Sequence, residues 1–89
     1  MAMAKLAFHP NAYLSETRNV KQGLASRSKI LRVLERRIST AMDIARSSQL
    51  SYGVVIHHLR LLEREGIVLR RRKKKPYAWQ LSGKGQQRL

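Results

Sequence analysis

The residues of this sequence best suited to chemistry are cations, and six of them are consecutive. Positions 70–75 hold Arg70, Arg71, Arg72, Lys73, Lys74 and Lys75. Such a run must lie in solvent, where it attracts the phosphates of a polyanion. The alternatives are a solvated turn and, in a eukaryotic protein, a targeting signal. We expect phosphate contacts, because the run falls at the tip of a predicted hairpin.

The charge of the whole chain indicates the same kind of partner. Nineteen Lys and Arg residues stand against five Asp and Glu residues among 89, which gives a net charge of +14. Sixteen of these cations and four of the acids lie in residues 26–89. This imbalance is atypical of a small enzyme and favours a nucleic-acid partner.

The remaining residue types argue against catalysis. The sequence has no cysteine, which excludes a disulfide, a thiolate metal site and a cysteine nucleophile. The five acids are scattered and supply no paired carboxylates for acid–base chemistry, and there is no glycine-rich phosphate loop. We therefore predict that the protein is not an enzyme and that it has no cofactor and no metal.

Apolar spacing predicts two helices ahead of a short polar break. With Ser26 as N-cap, the first helix covers about 27–36, and its apolar stripe comprises Ile30, Leu31, Val33, Leu34 and Ile38. Thr40, followed three residues later by Asp43, predicts the N-cap of a second helix over 41–47. The buried face of that second helix is expected to contain Ile44, Ala45 and Met42.

A third helix is predicted from a cap at Ser51 to Glu65, where Gly66 ends it. One side is suited to packing and contains Val55, His58, Leu59 and Leu62. The opposite side is available to a partner and contains Tyr52, Gly53, Ile56, His57, Arg60 and Arg64. Two placements of Tyr52 stay open: over the preceding turn, or pointing into a groove of the partner.

Two apolar stretches flank the basic run and predict a β-hairpin. The first covers 67–70 and the second covers 77–81, with the other five cations of the run and Pro76 between them. Trp79 is expected to fill the core, because a large aromatic residue in a short strand is more often structural than ligand-binding. A last short helical turn is expected from Ser82 to Leu89.

The order helix, helix, turn, helix and hairpin is that of a winged helix-turn-helix domain. Over residues 26–89 the chain resembles the winged-helix repressors of the ArsR type, and the likeness is carried by the stretches 44–46, 49–51, 55–68 and 77–85. The predicted fold class is therefore α+β: a winged helix-turn-helix with a three-helix core, a β-hairpin wing and a short C-terminal helix.

This resemblance implies a transcription regulator that binds double-stranded DNA. The third helix, 51–65, would enter the major groove, and the basic wing, 70–76, would touch the backbone or the minor groove. The residues expected to contact DNA are Thr40, Ser51, Tyr52, His57, Arg60, Arg64 and the six cations of 70–75. Metal sensing is not implied, because cysteines are absent and His57 and His58 point to different sides of their helix.

A second hypothesis treats the domain as an architectural or accessory module. At Val54 and Ile56 this chain has apolar residues where the family often has small polar ones. In that reading the module binds nucleic acid with little sequence preference, or Val54 and Ile56 face a protein partner in a replication or transcription complex. Selection of bound sequences from random duplexes separates the two hypotheses.

Residues 1–25 are expected to form an N-terminal arm that can serve in dimerisation. We expect a flexible arm up to about residue 11 and a short helix or extended segment over 12–24, with full disorder as the alternative. A stripe of Tyr13, Thr17, Val20 and Leu24, together with the end around Leu89, offers a homodimer surface. No stretch is apolar over about 20 residues, so no membrane span is predicted. We expect a cytoplasmic, nucleoid-associated protein in a prokaryote and a nuclear one in a eukaryote.

Overall fold

The structure, a computed structural model, describes residues 8–15, 19–72 and 74–83. After a short 3-10 turn at Pro10–Ala12, the elements are α1 (Lys21–Arg36), β1 (Ser39–Thr40), α2 (Ala41–Ser48), α3 (Tyr52–Arg64), β2 (Val68–Arg70) and β3 (Ala78–Leu81). Three helices and an antiparallel hairpin form a winged helix, which confirms the predicted fold class. The expected C-terminal helix falls mainly on 84–89, outside the described residues.

The wing is part of a three-stranded sheet with the strand order β1-β3-β2. Both neighbours pair antiparallel with β3: Ser39 lies opposite Trp79 on one side, and Arg70 lies opposite Trp79 on the other. The strand β1 was not predicted, because two residues are too few to show an alternating pattern. Its pairing attaches the wing directly to the start of α2.

The core takes side chains from all three helices and from both strands of the wing. Trp79 is 3% exposed, which confirms its structural placement. Burial of this set drives the packing of the helices against the sheet. The largest fully buried side chains are Ile30, Leu31, Ile44, Leu59, Leu62, Val55 and Val68.

The first helix begins earlier than the sequence pattern indicated. α1 starts at Lys21 behind Val20, whose side chain makes no capping hydrogen bond, and Ser26 is buried within the helix and does not cap it. Packing of Leu24 against the core explains the extra turns, because tertiary contacts outweigh the weak start signal. The expected boundary between residues 25 and 26 therefore falls inside α1. Ile38, expected on the helix face, lies beyond the helix and is 43% exposed.

The expectation of a flexible arm up to residue 11 is wrong for residues 9–11. His9 is buried, and its backbone N–H donates to Ser28 Oγ at 2.9 Å. Its ring Nδ1 accepts from the backbone N–H of Asn11, so Nε2 carries the proton and donates to Glu35 Oε2 at 2.6 Å. The following residues, Ala12 and Leu14, belong to the core. This segment is thus fastened to α1.

Candidate nucleic-acid interface

Two side-chain caps and one left-handed residue set the angle between α2 and α3. Thr40 Oγ1 accepts from the Asp43 backbone N–H at 3.2 Å, and Ser51 Oγ accepts from the Val54 N–H at 3.2 Å. Both predicted caps are confirmed. Between them Gln49 ends α2 with φ 59°, a left-handed conformation that turns the chain sharply.

The C-terminal end of α3 is connected to the wing by a turn at Gly66. Gly66 has φ 78°, and the N–H groups of Gly66 and Ile67 donate to Glu63 O and Leu62 O, both at 2.9 Å. This pair of hydrogen bonds is a Schellman motif, in which a glycine avoids the strain of the left-handed conformation. The predicted helix end at Gly66 is confirmed.

The packing face predicted for α3 is confirmed, and the opposite face is found as predicted except at Ile56. Its buried residues are Val55, His58, Leu59 and Leu62, as expected. On the opposite side Gly53, His57, Arg60 and Arg64 are exposed, together with Tyr52, whereas Ile56 is half-buried and packs against the core. A partner approaching α3 would therefore meet the predicted set of residues.

A buried polar cluster fixes the back of α3 against α1 and the N-terminal segment. Arg27 is 2% exposed, and its guanidinium donates to Ala12 O at 2.6 Å and to Asn19 Oδ1 at 3.1 Å. Arg27 Nη1 lies 3.3 Å from His58 Nδ1. Burial lowers the pKa of Arg27, which nevertheless remains charged because guanidinium groups do not deprotonate in proteins.

His58 is neutral at physiological pH. Burial lowers its pKa to about 4, and the charges of Arg27 and His57 act in the same direction. A neutral ring can accept the Arg27 hydrogen bond at Nδ1, whereas a protonated ring would place two cations together in the core. His58 is therefore the core-edge residue that the sequence predicted.

A groove of about 610 Å³ separates α3 from the wing. Aromatic and apolar side chains line much of it, while Arg60 lines it from the helix and Lys75 from the wing. The start of α2 contributes Thr40 and Ala41, so three elements meet here. The full lining consists of Thr40, Ala41, Tyr52, Ile56, Arg60, Glu63, Arg70, Lys75, Pro76, Tyr77 and Trp79.

Arg70 differs from the other cations of the basic run, because its guanidinium contacts Glu63 and two aromatic rings of the protein itself, although the residue is exposed. Its Nε donates to Glu63 Oε2 at 2.9 Å, and its Cζ lies 4.7 Å from the ring centroid of Tyr77 and 5.6 Å from that of Trp79. The hydrogen bond and charge of Glu63 raise the pKa of Arg70. Arg70 thus joins the wing to α3.

The other described cations of the run face solvent. Arg71 donates its backbone N–H to Ala78 O at 2.7 Å, and its Nη1 lies 3.3 Å from Gln80 Oε1. Arg72, Lys74 and Lys75 are exposed, and Lys73 lies outside the described residues.

Sequence reasoning missed Glu63 and Tyr77 as residues of the site. The sequence did offer a signal for Glu63, because an acid, Glu63, and an arginine, Arg70, lie on the two sides of the turn at Gly66.

The described residues form neither a membrane-spanning helix nor a metal cluster. In the part of the chain that the structure describes, no helix is both long and apolar enough to cross a membrane. Within the same residues, no three His, Asp or Glu side chains come together in a group that would hold a metal ion.

The helix-turn-helix, the exposed face of α3 and the cationic wing define a winged helix-turn-helix protein. Residues 25–69, which span α2, the turn and α3, match the family described as bacterial regulatory protein, arsR family. The chain therefore belongs to the arsR family of bacterial regulatory proteins, and the resemblance seen in the sequence is confirmed.

A solved structure shares this fold. It is that of Lactococcus lactis ZitR, wild type, which is 20% identical, with a TM-score of 0.62 over 94% of this chain. The chain spans 59% of the length of ZitR. No curated protein sequence matches the chain.

Proposed function

We propose that this protein regulates transcription by binding double-stranded DNA, with α3 in the major groove and the wing on the adjacent backbone. The observation that carries the proposal is the groove between α3 and the wing, which has cations on both sides: Arg60 on the helix and Lys75 on the wing. A polyanion lying in this groove meets positive charge from both directions.

The groove suits one sugar-phosphate strand of a duplex. When a helix enters the major groove, a phosphate backbone borders it, and here that backbone runs between α3 and the wing. The N-terminus of α2, at Thr40 and Ala41, adds backbone N–H groups and the positive end of a helix dipole. The half-exposed Tyr52 offers a hydroxyl donor at the same edge.

The cations divide into two groups by their positions. Arg72, Lys74 and Lys75 are exposed on the wing, and they bind phosphates whatever the sequence of the duplex. Arg60 and Arg64 lie with His57 on the exposed face of α3, where an arginine can form two hydrogen bonds to guanine. Arg60 is our principal candidate for a base contact.

We further propose that the protein acts as a homodimer. Two recognition helices about 34 Å apart on one face of the duplex read a palindrome, and one helix alone seldom discriminates enough. The proposed contact contains Tyr13 and Val20, which are 51% and 52% exposed. Leu14 N–H donates to Asn19 Oδ1 and Asn19 Nδ2 donates to Leu14 O, both at 2.8 Å, which brings the backbone beside these two residues together.

Selection from a pool of random duplexes, at physiological salt, tests the DNA-binding proposal. We expect enrichment of a palindromic site and weaker binding by the Lys75→Ser variant. Lys29→Ser is the matched control, since Lys29 is an exposed cation on α1 that does not line the groove. Binding without enrichment supports the architectural module instead, and a chain that binds no duplex contradicts the proposal.

Sedimentation of a point variant tests the homodimer. Removing residues 1–25 is unsuitable, because it deletes Ala12, Leu14 and Leu24 from the core and the Arg27 acceptors. Val20→Asp places a charge in the proposed contact while supplying a better N-cap for α1, so folding is not put at risk. We expect a wild-type dimer and a variant monomer at micromolar concentration. A wild-type monomer, or an unchanged dimer in the variant, contradicts the homodimer.

A further inference from the structure

The first half of α3 lacks the side chains that usually read bases. Tyr52–His57 contains no Arg, Lys, Asn or Gln, the residue types that form two hydrogen bonds with one base. In helix-turn-helix proteins, this end of the recognition helix contacts the base edges. Sequence preference from this end therefore cannot come from paired hydrogen bonds to one base, which leaves single hydrogen bonds from Tyr52 and His57 and apolar contacts.

The exposed surface of this half has an apolar side chain, Val54, beside a gap at its centre. At 100° per residue, Gly53 and His57 point directly away from the core, with Val54 on one flank and Ile56 on the other. Val54 is 38% exposed, and Ile56 is half-buried. A Cβ added at Gly53 would meet nothing within 4 Å, so the missing side chain leaves room for close approach by a partner.

We propose that Val54 recognises the 5-methyl group of a pyrimidine, thymine or 5-methylcytosine, in the major groove. This inference rests on the proposed function, because it requires α3 to lie in that groove. The pyrimidine methyl is the apolar group that the major groove presents, and aliphatic side chains contact it favourably.

The same apolar side chain acts against other bases. A donor or acceptor on a base edge that meets Val54 loses its water and gains no hydrogen bond. Specificity at this position therefore arises both from contact with the methyl and from the penalty on an unpaired polar group.

Removing single methyl groups from DNA tests this directly. In the preferred duplex, each thymine is replaced in turn by deoxyuridine, which lacks only the methyl. We expect about a fourfold loss of affinity at one or two positions, the factor corresponding to about 0.8 kcal/mol for one buried carbon. In the Val54→Ala variant the loss at the position facing Val54 disappears, as a double-mutant cycle between two contacting groups requires.

The variant and its control are chosen so that folding is not in question. Val54 is an exposed helical residue, and alanine has the higher helix propensity. Leu69→Ala is the control, because Leu69 on β2 has the same exposed fraction of 38% but lies outside α3 and does not line the groove. We expect Leu69→Ala to leave the deoxyuridine effect unchanged.

A second pair of duplexes distinguishes the two sources of the methyl group. Selection is run on one pool with ordinary cytosine and on a second with 5-methylcytosine. Enrichment of thymine in both pools identifies thymine, and enrichment of 5-methylcytosine in the second pool alone identifies the modified base. At the sensitive position, a T·A pair changed to C·G lowers affinity, and methylation of that cytosine restores part of it.

Failure of this inference is distinguishable from failure of the proposed function. If no duplex binds, the DNA-binding proposal fails. If a site is selected but deoxyuridine has no effect at any position, or Val54→Ala preserves the effect at every position, methyl recognition is overturned while DNA binding stands.

Discussion

The first half of α3 and the wing border the same groove, yet their surfaces differ in kind. Tyr52–His57 presents no lysine or arginine, whereas the wing presents Arg72, Lys74 and Lys75 to solvent. Phosphate contacts position a protein on DNA and supply much of its affinity, while base contacts supply sequence preference. Under the proposed function, the contrast predicts that affinity and specificity reside in different elements of this protein and can be altered separately.

The largest effect is expected from removing the wing cations. Replacing Arg72, Lys74 and Lys75 together with serine should weaken binding to every duplex on the order of 100-fold near 0.15 M salt, since each lost contact lowers the salt slope by about 0.9. Binding titrations between 50 and 200 mM salt measure this. Lys21→Ser with Lys29→Ser, two exposed cations of α1, serves as control. An unchanged slope would show that the wing is a solvated turn that makes no phosphate contacts.

Acid should destabilise the folded domain, and with it both surfaces, by protonating His58 on the buried side of α3. The pKa of His58 is about 4 in the folded protein and 6.5 when unperturbed, so the unfolded state binds more protons between these values. Stability is therefore fully present above about pH 6.5 and falls as the pH drops towards 4, by about 2 to 3 kcal/mol from this residue.

Urea denaturation from pH 7.5 to pH 4 measures this loss, and two neighbouring variants assign it. His58→Gln should remove this part of the pH dependence, whereas His57→Gln, with its exposed ring, should retain most of it. Equal pH profiles for the wild type and His58→Gln would show that another group is responsible.

Substitution of Arg60 should affect sequence preference more than affinity in general. Arg60→Ala is expected to cost about 1 to 3 kcal/mol on the selected duplex and much less on a shuffled one, because only the selected duplex offers the paired acceptors of its base. Competition titration with both duplexes measures the difference. Equal losses would mean that Arg60 binds only phosphate, and that the second half of α3 resembles the wing in function.

The smallest effect is expected at Gly53, at the centre of the exposed face of the first half of α3. Its substitution should act in opposite directions on folding stability and on DNA binding. Gly53→Ala should raise the free energy of unfolding by about 0.5 to 1 kcal/mol, because glycine is unfavourable inside a helix and the new methyl meets open space. The same methyl should lower DNA affinity by occupying the space needed for close approach. A variant that is more stable and binds equally well would show that DNA does not approach Gly53.

The local features of this fold were largely predictable from sequence, whereas its long-range contacts were not. Thr40, Ser51 and Gly66 carry strong signals for helix ends, and the spacing in α3 separates its two faces. The Arg27 contacts with Ala12 and His58 join residues 15 and 31 positions apart, and no local pattern encodes them.

In the candidate site, the exposed cations were recognisable by type alone. The internal role of Arg70 was not, because its contacts with Glu63 and Tyr77 depend on how the hairpin turns back towards α3. Charge patterns therefore predicted which residues are exposed better than they predicted the contacts that each cation makes within the protein.

The proposed division, with affinity supplied by the wing and sequence preference by α3, is tested most directly by a salt titration of three proteins on two duplexes. Wild type, the triple wing variant and Arg60→Ala are each titrated against the selected duplex and a shuffled one between 50 and 200 mM salt. We predict that the wing variant lowers the slope by nearly the same amount on both duplexes and keeps their affinity ratio, whereas Arg60→Ala reduces that ratio. A wing variant that loses the ratio, or an Arg60→Ala that retains it while binding both duplexes more weakly, would contradict the account.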